Sequence, residues 1–490
     1  MSSATFVAGV GMTPFNSPKK SASLATNPDS DYLDLAVEAG VKALLDAGLT
    51  YDSVDQGVGS YVFGDSTCAQ RVFYALGMTG IPIINVNNYC SAGSTGLWLA
   101  NQAIRSGQAD CVLCIGFDKM YPGPLPQIYN DRTNPLSRIL DLSKTQIPEA
   151  DKGKPSPGWT PQLYANAQTE YLQKYGPNGA KKDDFAQITA VNRTHGVNNP
   201  YSQLSKAVTA ADVLASPTVS GDITRLQCCP SSTGAAAVVL VSETFLASHP
   251  YLKKQAIQIA GQSLATDRPT LFETKSAIEL IGSDMTRQAA AAAYKQAAIS
   301  PRDVSVVELH DCFTTNEMCA LEGLGLAKEG EAWKLVREGG LSYGADGGLG
   351  AGGSGWIVNP SGGLISKGHP LGATGLAQCA ELVWHLRGWA KSRAVKDTKF
   401  ALQHNMGLGG ATVVTIYKRP DGNVAPKLED TRPETDGRNR LGYNPAEEAR
   451  SITRSDWESV TSHPKGVSKW ATAELPWNKD PQAYASRAKL

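Results

Sequence analysis

The sequence predicts an α/β protein in which helices flank a sheet and the second half of the chain repeats the design of the first. Segments with strand-like and helix-like spacing alternate through both halves. An eight-residue pattern also occurs twice: residues 90–97 read Cys-Ser-Ala-Gly-Ser-Thr-Gly-Leu, and residues 369–376 read His-Pro-Leu-Gly-Ala-Thr-Gly-Leu. The shared positions indicate an internal duplication on the scale of half a protein.

In the first half, each predicted element has a local signal. Residues 31–49 are rich in Ala, Leu and Val at helical spacing, and Gly48 is typical of a helix C-cap. The other elements predicted here are strands over 4–11 and 81–86, a turn and strand over 54–63, an amphipathic helix over 95–106, and buried strands over 109–117 and 234–241. The first octapeptide therefore lies between a strand and a helix.

The second half follows the same order. An Ala-rich helix is predicted over 285–298 and a strand over 304–309. A Gly-rich stretch over 356–367 then precedes the second octapeptide, and a helix over 374–389 follows it. Both copies of the pattern are thus expected at the start of a helix.

The composition of the chain changes in two places. Prolines, asparagines and aromatic residues accumulate between 121 and 220, with helical stretches near 161–175 and 182–193, which is typical of an insertion over a site. Residues 419–490 are polar and irregular, as in an extended wrap or a partly disordered extension. The predicted organisation is an N-terminal half (1–120 plus 221–252), an inserted loop domain (121–220), a C-terminal half (253–418) and a polar extension (419–490).

Composition also limits the class of function. The 490 residues are about two-fifths hydrophobic, so a large core is expected. Lys plus Arg equal Asp plus Glu at 46 each, which gives no reason to expect nucleic acid or an anionic membrane as a partner. No apolar run approaches the ~20 residues needed to span a bilayer. Cys111 and Cys114 lie in an apolar run typical of a buried strand, so no metal site is predicted there.

The two octapeptides differ in the chemistry of their first residue. Cys90 supplies a thiol and His369 an imidazole, which together make a nucleophile and its base. A thiol at the start of a helix is expected to have a lowered pKa, because the helix dipole favours the thiolate. Each residue also has a structural interpretation, as a small buried side chain or as a helix-start histidine. The matching positions favour the catalytic one.

Two further clusters follow predicted strands. His310, Asp311 and Cys312 come at the end of the strand over 304–309, where α/β folds place catalytic groups. They could supply a second acid/base thiol or be structural hydrogen-bonding groups, and the residues alone leave both open. Residues 403–410 are Gly-rich and could offer backbone N–H groups to an oxyanion, with His404 or Asn405 facing the site.

Together these clusters resemble the signatures of the thiolase superfamily, and most of all the thiolases associated with sterol carrier protein X. The resemblance covers about residues 4–418 and is carried by 310–313, 359–376 and 404–410. Ordinary thiolases have an Asn-Glu-Ala-Phe-like motif where this chain has His-Asp-Cys-Phe. They also have a Cys-x-Gly near the C-terminus, where this chain has His-Asn-Met-Gly. In the resembled subgroup, Cys312 is expected to do the work of that missing cysteine.

The resemblance implies a fold, a reaction and a role for each residue. The fold is a five-layer α-β-α-β-α arrangement of duplicated halves, normally a homodimer. The substrates are a 3-oxoacyl-CoA, with long-chain and 2-methyl-branched acyl groups as candidates, and CoA; no metal or redox cofactor is needed. The implied site has Cys90 as nucleophile, His369 as its base and Cys312 as a second acid/base. His310 with His369 would bind one oxyanion, and the backbone N–H groups of Cys90 and Gly407 would bind the other. His404 and Asn405, from their place in the Gly-rich cluster, are expected beside the substrate.

The C-terminal residues carry a separate signal. Ala488, Lys489 and Leu490 form a close variant of the Ser-Lys-Leu tripeptide that a peroxisomal import receptor reads. A location in the peroxisomal matrix, and a role in fatty-acid β-oxidation there, are therefore expected. The cysteines, which form no regular framework, suit a reducing compartment.

Three alternatives remain at this stage. A condensing enzyme of the ketoacyl-synthase kind would use Cys90 with His310 and His404, but it needs no second thiol at Cys312. A lipid-transfer protein is disfavoured because residues 419–490 are too few and too polar for a fused sterol-carrier domain. A thiolase fold without activity is disfavoured by the joint presence of both thiols and both histidines.

Overall fold

The structure is a computed structural model, and it describes residues 4–18, 31–149, 152–153, 158–344, 355–427, 431, 439–463, 466–479 and 481. Its strands are β1 (Thr5–Met12), β2 (Gln56–Ser60), β3 (Ile83–Val86), β4 (Cys111–Lys119), β5 (Thr218–Ser220), β6 (Ile223–Thr224), β7 (Thr233–Ser242), β8 (Ile257–Ala265), β9 (Val304–Glu308), β10 (Ile357–Val358), β11 (Phe400–Gly407) and β12 (Ala411–Lys418).

The α-helices of the described residues are α1 (Tyr32–Ala47), α2 (Cys68–Tyr74), α3 (Ala92–Arg105), α4 (Ser137–Thr145), α5 (Trp159–Tyr175), α6 (Lys182–His195), α7 (Ala210–Ala215), α8 (Glu243–Ser248), α9 (Thr270–Glu273), α10 (Ala277–Leu280), α11 (Ser283–Ala297), α12 (Thr314–Gly323), α13 (Ala332–Arg337), α14 (Gly363–Lys367), α15 (Leu371–Leu386), α16 (Arg454–Val460) and α17 (Pro476–Lys479). None of them is long and apolar enough to cross a membrane.

Ten strands form one sheet in the order β10-β9-β11-β12-β8-β1-β7-β4-β2-β3. From the middle outwards, β1-β7-β4-β2-β3 and β8-β12-β11-β9-β10 have the same topology, with two antiparallel pairings followed by two parallel ones. The two halves join where Phe6 pairs with Gln258 and Val7 with Ile257. This equivalence confirms the duplicated α/β fold predicted from the sequence.

The helices are arranged in layers around the two five-stranded halves. Helices α3 and α15 contact strands of both halves and therefore lie between them. Helix α1 packs on β1, β7 and β4 of the first half, and α11 packs on β8 and β12 of the second. Every residue of α15 is buried, which is expected for a helix with sheet on more than one side.

The glycines of the octapeptides allow α3 and α15 to meet at their N-terminal ends. A Cβ on Gly93 would lie 2.6 Å from the carbonyl oxygen of Gly372, and one on Gly375 would lie 2.1 Å from Ser94 Oγ. Both distances are shorter than a carbon–oxygen contact permits, so only glycine fits. The glycines of the repeated pattern therefore allow the N-terminal ends of α3 and α15 to contact each other.

The helices predicted from the sequence begin and end close to where the structure places them. The predicted helix over 31–49 is α1, whose first turn is capped by Asp31 and which ends at Gly48 in the left-handed conformation, with φ 64°. The predictions over 285–298 and 374–389 correspond to α11 and α15. The structure confirms these helices. They could be predicted because caps and helical spacing are local features of the sequence.

The insertion and the tail both pack on the duplicated halves. Helix α5 contacts α10 and α12, and α6 contacts α12, α13 and α14, so the insertion covers the helices of the second half. In the tail, Trp457 and Trp477 are buried in the cluster formed by α1 and the outer face of the first half. The tripeptide Ala488-Lys489-Leu490 lies outside the described residues.

Candidate active site

Cys90 lies on a tight turn between β3 and α3. Ser91 N and Ser91 Oγ both donate to the Asn88 carbonyl, and Ala92 N donates to the Tyr89 carbonyl. Tyr89 has φ 52°, in the left-handed region that a bulky residue rarely adopts. This conformation places Cys90 directly before the first turn of α3, and its side chain is 7% exposed. Strain of this kind is common next to functional groups.

His369 occupies the equivalent position before α15. Its backbone N–H donates to Ser232 Oγ at 2.8 Å, and its Nδ1 lies 2.7 Å from Thr374 Oγ1. The Thr374 hydroxyl donates its single hydrogen to the Pro370 carbonyl at 3.0 Å. Thr374 must therefore accept from Nδ1–H, which leaves Nε2 unprotonated. That Nε2 is buried and has no partner among the described residues, as a general base requires.

His310, which follows β9, has the opposite tautomer. Asn405 Nδ2 donates to His310 Nδ1 at 3.0 Å, since the other end of this amide, Oδ1, accepts from Ser94 Oγ at 2.9 Å. The ring hydrogen of His310 is therefore on Nε2. This N–H is buried and has no partner in the part of the chain that the structure describes. It is a free hydrogen-bond donor.

A chain of hydrogen bonds that runs from β12 through β11 and α3 fixes this tautomer. Tyr417 Oη donates to Gln403 Oε1 at 2.5 Å, and Gln403 Nε2 donates to Ser94 Oγ at 2.8 Å. Ser94, with its oxygen occupied by this donor, uses its hydrogen for Asn405 Oδ1. The direction of each bond follows from the one before it, so His310 receives a donor at Nδ1.

These groups converge. Cys90 Sγ and a ring nitrogen of each of His310 and His369 lie within 4.8 Å of one another. The two imidazole rings meet edge to face, with centroids 5.0 Å apart and an interplanar angle of 80°. A thiol, a free basic nitrogen and a free N–H donor therefore share one buried space, which suits attack on a carbonyl group.

Burial keeps this group of residues uncharged. It raises the pKa of Cys90 to about 12, although the thiol lies at a helix start. The expectation of a lowered Cys90 pKa is therefore wrong, because the loss of hydration outweighs the helix dipole. Burial lowers the pKa of His369 to about 3, and burial with the neighbouring His369 and His404 holds the pKa of His310 well below its usual value. At neutral pH the site contains a thiol and neutral imidazoles.

The cluster after β9 divides into two parts. Cys312 is buried, and its Sγ lies 3.2 Å from the Tyr164 hydroxyl. Burial, with the Cys90 thiol adding to it, holds the pKa of Cys312 well above its usual value. Asp311 instead accepts from Leu364 N at 2.6 Å and Ile365 N at 3.1 Å, at the start of α14. Asp311 is thus a structural anchor, whereas His310 faces Cys90 and Cys312 contacts Tyr164 of the insertion.

The Gly-rich cluster on β11 contacts His310. His404 Nδ1 accepts from the His310 backbone N–H at 3.4 Å, and its Nε2 bonds to Thr286 Oγ1 at 3.1 Å. Asn405 is held between Ser94 and His310. Both side chains thus bond to protein groups next to His310, and their place beside a substrate stays a prediction.

Gly407, the last residue of β11, lies against the turn that carries Cys90. A Cβ at this position would lie 2.2 Å from the Asn88 carbonyl oxygen and 2.8 Å from Ser91 Oγ. Any other residue would push this turn away. Gly407 therefore packs against the turn that carries Cys90, and its predicted role toward an oxyanion stays a prediction.

Asp118 is a buried site residue that the sequence reasoning missed. Its Oδ1 accepts from Val62 N at 3.1 Å and Phe63 N at 2.7 Å, and its Oδ2 accepts from Gly372 N at 2.6 Å. The carboxylate thus fixes the second octapeptide to the first half of the protein. An acidic residue at the end of an apolar strand was the available signal, since a buried carboxylate needs several donors.

Comparison with known proteins follows the same division into halves. Residues 5–152 match the family model described as thiolase, N-terminal domain, and residues 272–419 match the one described as thiolase, C-terminal domain-like. The chain belongs to the thiolase family. This thiolase is therefore an acyltransferase of that family.

Individual relatives agree with this assignment. The chain is 49% identical to sterol carrier protein 2 of Gallus gallus over 413 residues, which is 84% of this chain and 71% of the relative. It is 32% identical to an acetyl-CoA acetyltransferase of Methanothermobacter thermautotrophicus, covering 80% of this chain and 95% of the relative. A solved structure of human mitochondrial 3-ketoacyl-CoA thiolase in complex with CoA is similar in fold to this thiolase, with a TM-score of 0.59, 19% identity and coverage of 85% of this chain and 98% of that chain.

Proposed function

We propose that this thiolase cleaves 3-oxoacyl-CoA with CoA, giving acetyl-CoA or propanoyl-CoA and a shortened acyl-CoA. The single observation that carries the proposal is the pair of complementary tautomers around Cys90. His369 presents an unprotonated Nε2 and His310 presents an N–H, and both are buried without protein partners in the described part of the chain. One serves to remove a proton and the other to stabilise an oxyanion.

The first half-reaction begins with proton transfer from Cys90 Sγ to His369 Nε2. The resulting thiolate attacks the 3-keto carbon, whose oxygen receives hydrogen bonds from the backbone N–H groups of Cys90 and Gly407. The bond between the second and third carbons then breaks, and its electron pair forms an enolate. His310 Nε2–H and the protonated His369 stabilise the enolate oxygen, while Cys312 donates its proton to the carbon.

The second half-reaction transfers the acyl group to CoA. The Cys312 thiolate left by the first half-reaction takes the proton of the CoA thiol, and the CoA sulfur attacks the acyl-enzyme thioester. The tetrahedral intermediate expels Cys90 as a thiolate, which recovers its proton from His369. The two thiols and His369 thus return to their starting protonation states, and no redox change occurs.

The acyl group, the compartment and the assembly are further parts of the proposal. The relatives named sterol carrier protein 2 support the sterol-carrier-type subgroup, for which we propose long-chain and 2-methyl-branched substrates in peroxisomal β-oxidation. Ala488-Lys489-Leu490 supports a peroxisomal matrix location, reached through the import receptor. The subgroup resemblance supports a homodimer. Imaging of a fluorescent fusion with and without the C-terminal tripeptide tests the peroxisomal location. The molar mass of the protein in solution tests the homodimer.

The decisive experiment is thiolysis with medium-chain, long-chain and 2-methyl-branched 3-oxoacyl-CoA. Wild type and Cys68→Ala, a control in α2 away from the site, should cleave at least one of them, and Cys90→Ala should cleave none. If folded wild type is inactive on all three, the proposal fails. Extension of an acyl-CoA with a malonyl donor, without thiolysis, would support the condensing-enzyme alternative instead.

A further inference from the structure

Helix α5 of the insertion brings one side chain against the acid/base thiol of the second half. Tyr164 is 1% exposed, and its hydroxyl lies 3.2 Å from Cys312 Sγ. Its ring stacks on Phe313, the residue after Cys312, with centroids 4.3 Å apart and an interplanar angle of 18°. One turn further along α5, Gln168 accepts a hydrogen bond from Thr315 at 3.1 Å. Three contacts therefore hold this helix in register with the segment that carries Cys312.

The Tyr164 hydroxyl has no other hydrogen-bond partner among the described residues. While Cys312 is a thiol, one of the two groups donates and the other accepts. Once Cys312 has lost its proton, only the hydroxyl can donate, and a hydrogen bond to a charged sulfur is stronger than one to a neutral thiol. The contact therefore strengthens at the point in the cycle where Cys312 becomes a thiolate.

We propose that Tyr164 is a positioning residue that stabilises the Cys312 thiolate formed between the two half-reactions. This inference rests on the proposed function, because it assigns Tyr164 to the residue that protonates the enolate and then deprotonates CoA. Tyr164 keeps its own proton throughout: the Cys312 proton goes to the enolate carbon, and the replacement proton comes from the CoA thiol. The hydroxyl only orients the sulfur and balances its charge.

The surroundings of Cys312 explain why such a donor is needed. The other titratable side chains that act on this thiol in the described residues are Cys90, Cys229 and Asp311. Each of these three is neutral or negative, so none of the three stabilises a thiolate. At this point in the cycle the positive charge of the site is on protonated His369, which lies beside Cys90. The Cys229 backbone N–H is also already used, by the Cys312 carbonyl at 2.9 Å. Tyr164, with the Phe313 backbone N–H, is what favours the thiolate.

Tyr171 provides a matched control. It lies two turns further along α5, is fully buried, and donates its hydroxyl hydrogen to Glu322 Oε1 at 2.6 Å, away from Cys312. Tyr164→Phe and Tyr171→Phe therefore remove the same atom from the same helix, and each breaks a side-chain hydrogen bond. Only the first should change the acidity of Cys312.

The first measurement is the rate at which iodoacetamide alkylates Cys312, followed by mass spectrometry at about pH 9 in a Cys90→Ala background. Only the thiolate reacts, so the rate reports the thiolate fraction. Tyr164→Phe should lower it about tenfold to a hundredfold, the range for loss of a hydrogen bond to a charged group. Tyr171→Phe should leave it within twofold. An unchanged or faster rate in Tyr164→Phe would overturn the proposal.

The second measurement is thiolysis with Cys90 intact. Tyr164→Phe should lower kcat by a similar factor with little change in KM, and should have no further effect when Cys312 is already Ala. A shape-conserving variant covers the case in which Tyr164→Phe misfolds: 3-fluorotyrosine at this position is a stronger donor and should speed Cys312 alkylation. A slower rate there would also overturn the proposal. If wild type shows no thiolysis, the proposed function fails, but the alkylation contrast can still be read.

Discussion

The Thr374 hydroxyl lies 2.7 Å from His369 Nδ1 and simultaneously donates to the Pro370 carbonyl one turn back. Both residues belong to the second octapeptide, so the helix that begins there sets the tautomer of its own histidine. In the first octapeptide the equivalent Thr95 accepts from Asn88 Nδ2, in the turn that carries Cys90. The duplicated threonine therefore bonds to His369 itself in the second half and to Asn88, two residues before Cys90, in the first.

Replacing Thr374 tests how much activity depends on the tautomer of His369, because the histidine itself is retained. Thr374→Val keeps the shape but leaves the buried Nδ1–H without an acceptor, so the ring is expected to turn or change tautomer. We expect kcat/KM for thiolysis to fall about tenfold to a hundredfold. Thr374→Ser keeps the hydroxyl and should retain most of the activity. Equal losses in both variants would show that packing, and not the hydroxyl, is what matters.

Asn405→Asp should reverse the tautomer of His310. A carboxylate cannot donate to Nδ1, so the ring hydrogen would move there and Nε2 would lose the hydrogen that we assign to the enolate oxygen. We expect kcat to fall about a hundredfold, as when one oxyanion donor is removed. The ring ¹⁵N shifts of His310, measured in both proteins, should show the change of tautomer. Activity within twofold of wild type would exclude this role for His310.

The pKa of Cys90 predicts how the resting enzyme reacts with alkylating agents. Since its pKa is raised to about 12, Cys90 is a thiol at neutral pH, and its thiolate fraction grows about tenfold for each unit of pH. Iodoacetamide labelling of the Cys90 peptide, followed by mass spectrometry in Cys312→Ala, should therefore keep rising through about pH 9. A plateau below about pH 8 would indicate a stable thiolate in the unliganded site.

The low pKa of His369 predicts the acid side of the pH profile. A lowered pKa means that this base stays unprotonated as the pH falls, until values near 3 are reached. Its protonation should therefore cause no loss of kcat/KM between about pH 7.5 and 5.5. Samples held at the lower pH and assayed at the higher one control for denaturation. A reversible loss with an apparent pKa near the usual histidine value of about 6.5 would contradict the buried, uncharged site.

Much of this arrangement was accessible from the sequence because its signals are local. The repeated octapeptide identified Cys90 and His369, and helical spacing with a terminal glycine gave α1 within two residues at each end. The strand before His310 also placed that cluster at the end of β9. In each case the residues that decide the outcome lie within one element or one turn of each other.

The rest depends on contacts between distant parts of the chain. Ser94 and Asn405 are 311 positions apart, and Tyr164 and Cys312 are 148 apart, so no spacing rule connects them. The pKa of Cys90 failed as a prediction for the same reason. The helix start is a local feature, but the burial that outweighs it comes from the packing of both halves of the protein.

The tail offers a test of how the extension is attached. Trp477 is 2% exposed and packs on Trp457, with ring centroids 5.4 Å apart, and Trp457 Nε1 donates to the Ala75 carbonyl at 3.0 Å. Trp477→Ala should cost about 3 kcal/mol of stability, as expected for a large buried side chain. Trp470→Ala is the control, because Trp470 is 92% exposed in the same segment and should change stability by less than about 0.5 kcal/mol. Chemical denaturation gives both values. Faster proteolysis within residues 439–479 in Trp477→Ala, but not in Trp470→Ala, would show that the Trp457–Trp477 contact holds the tail on α1. Identical stability and proteolysis of the two variants would show that it does not.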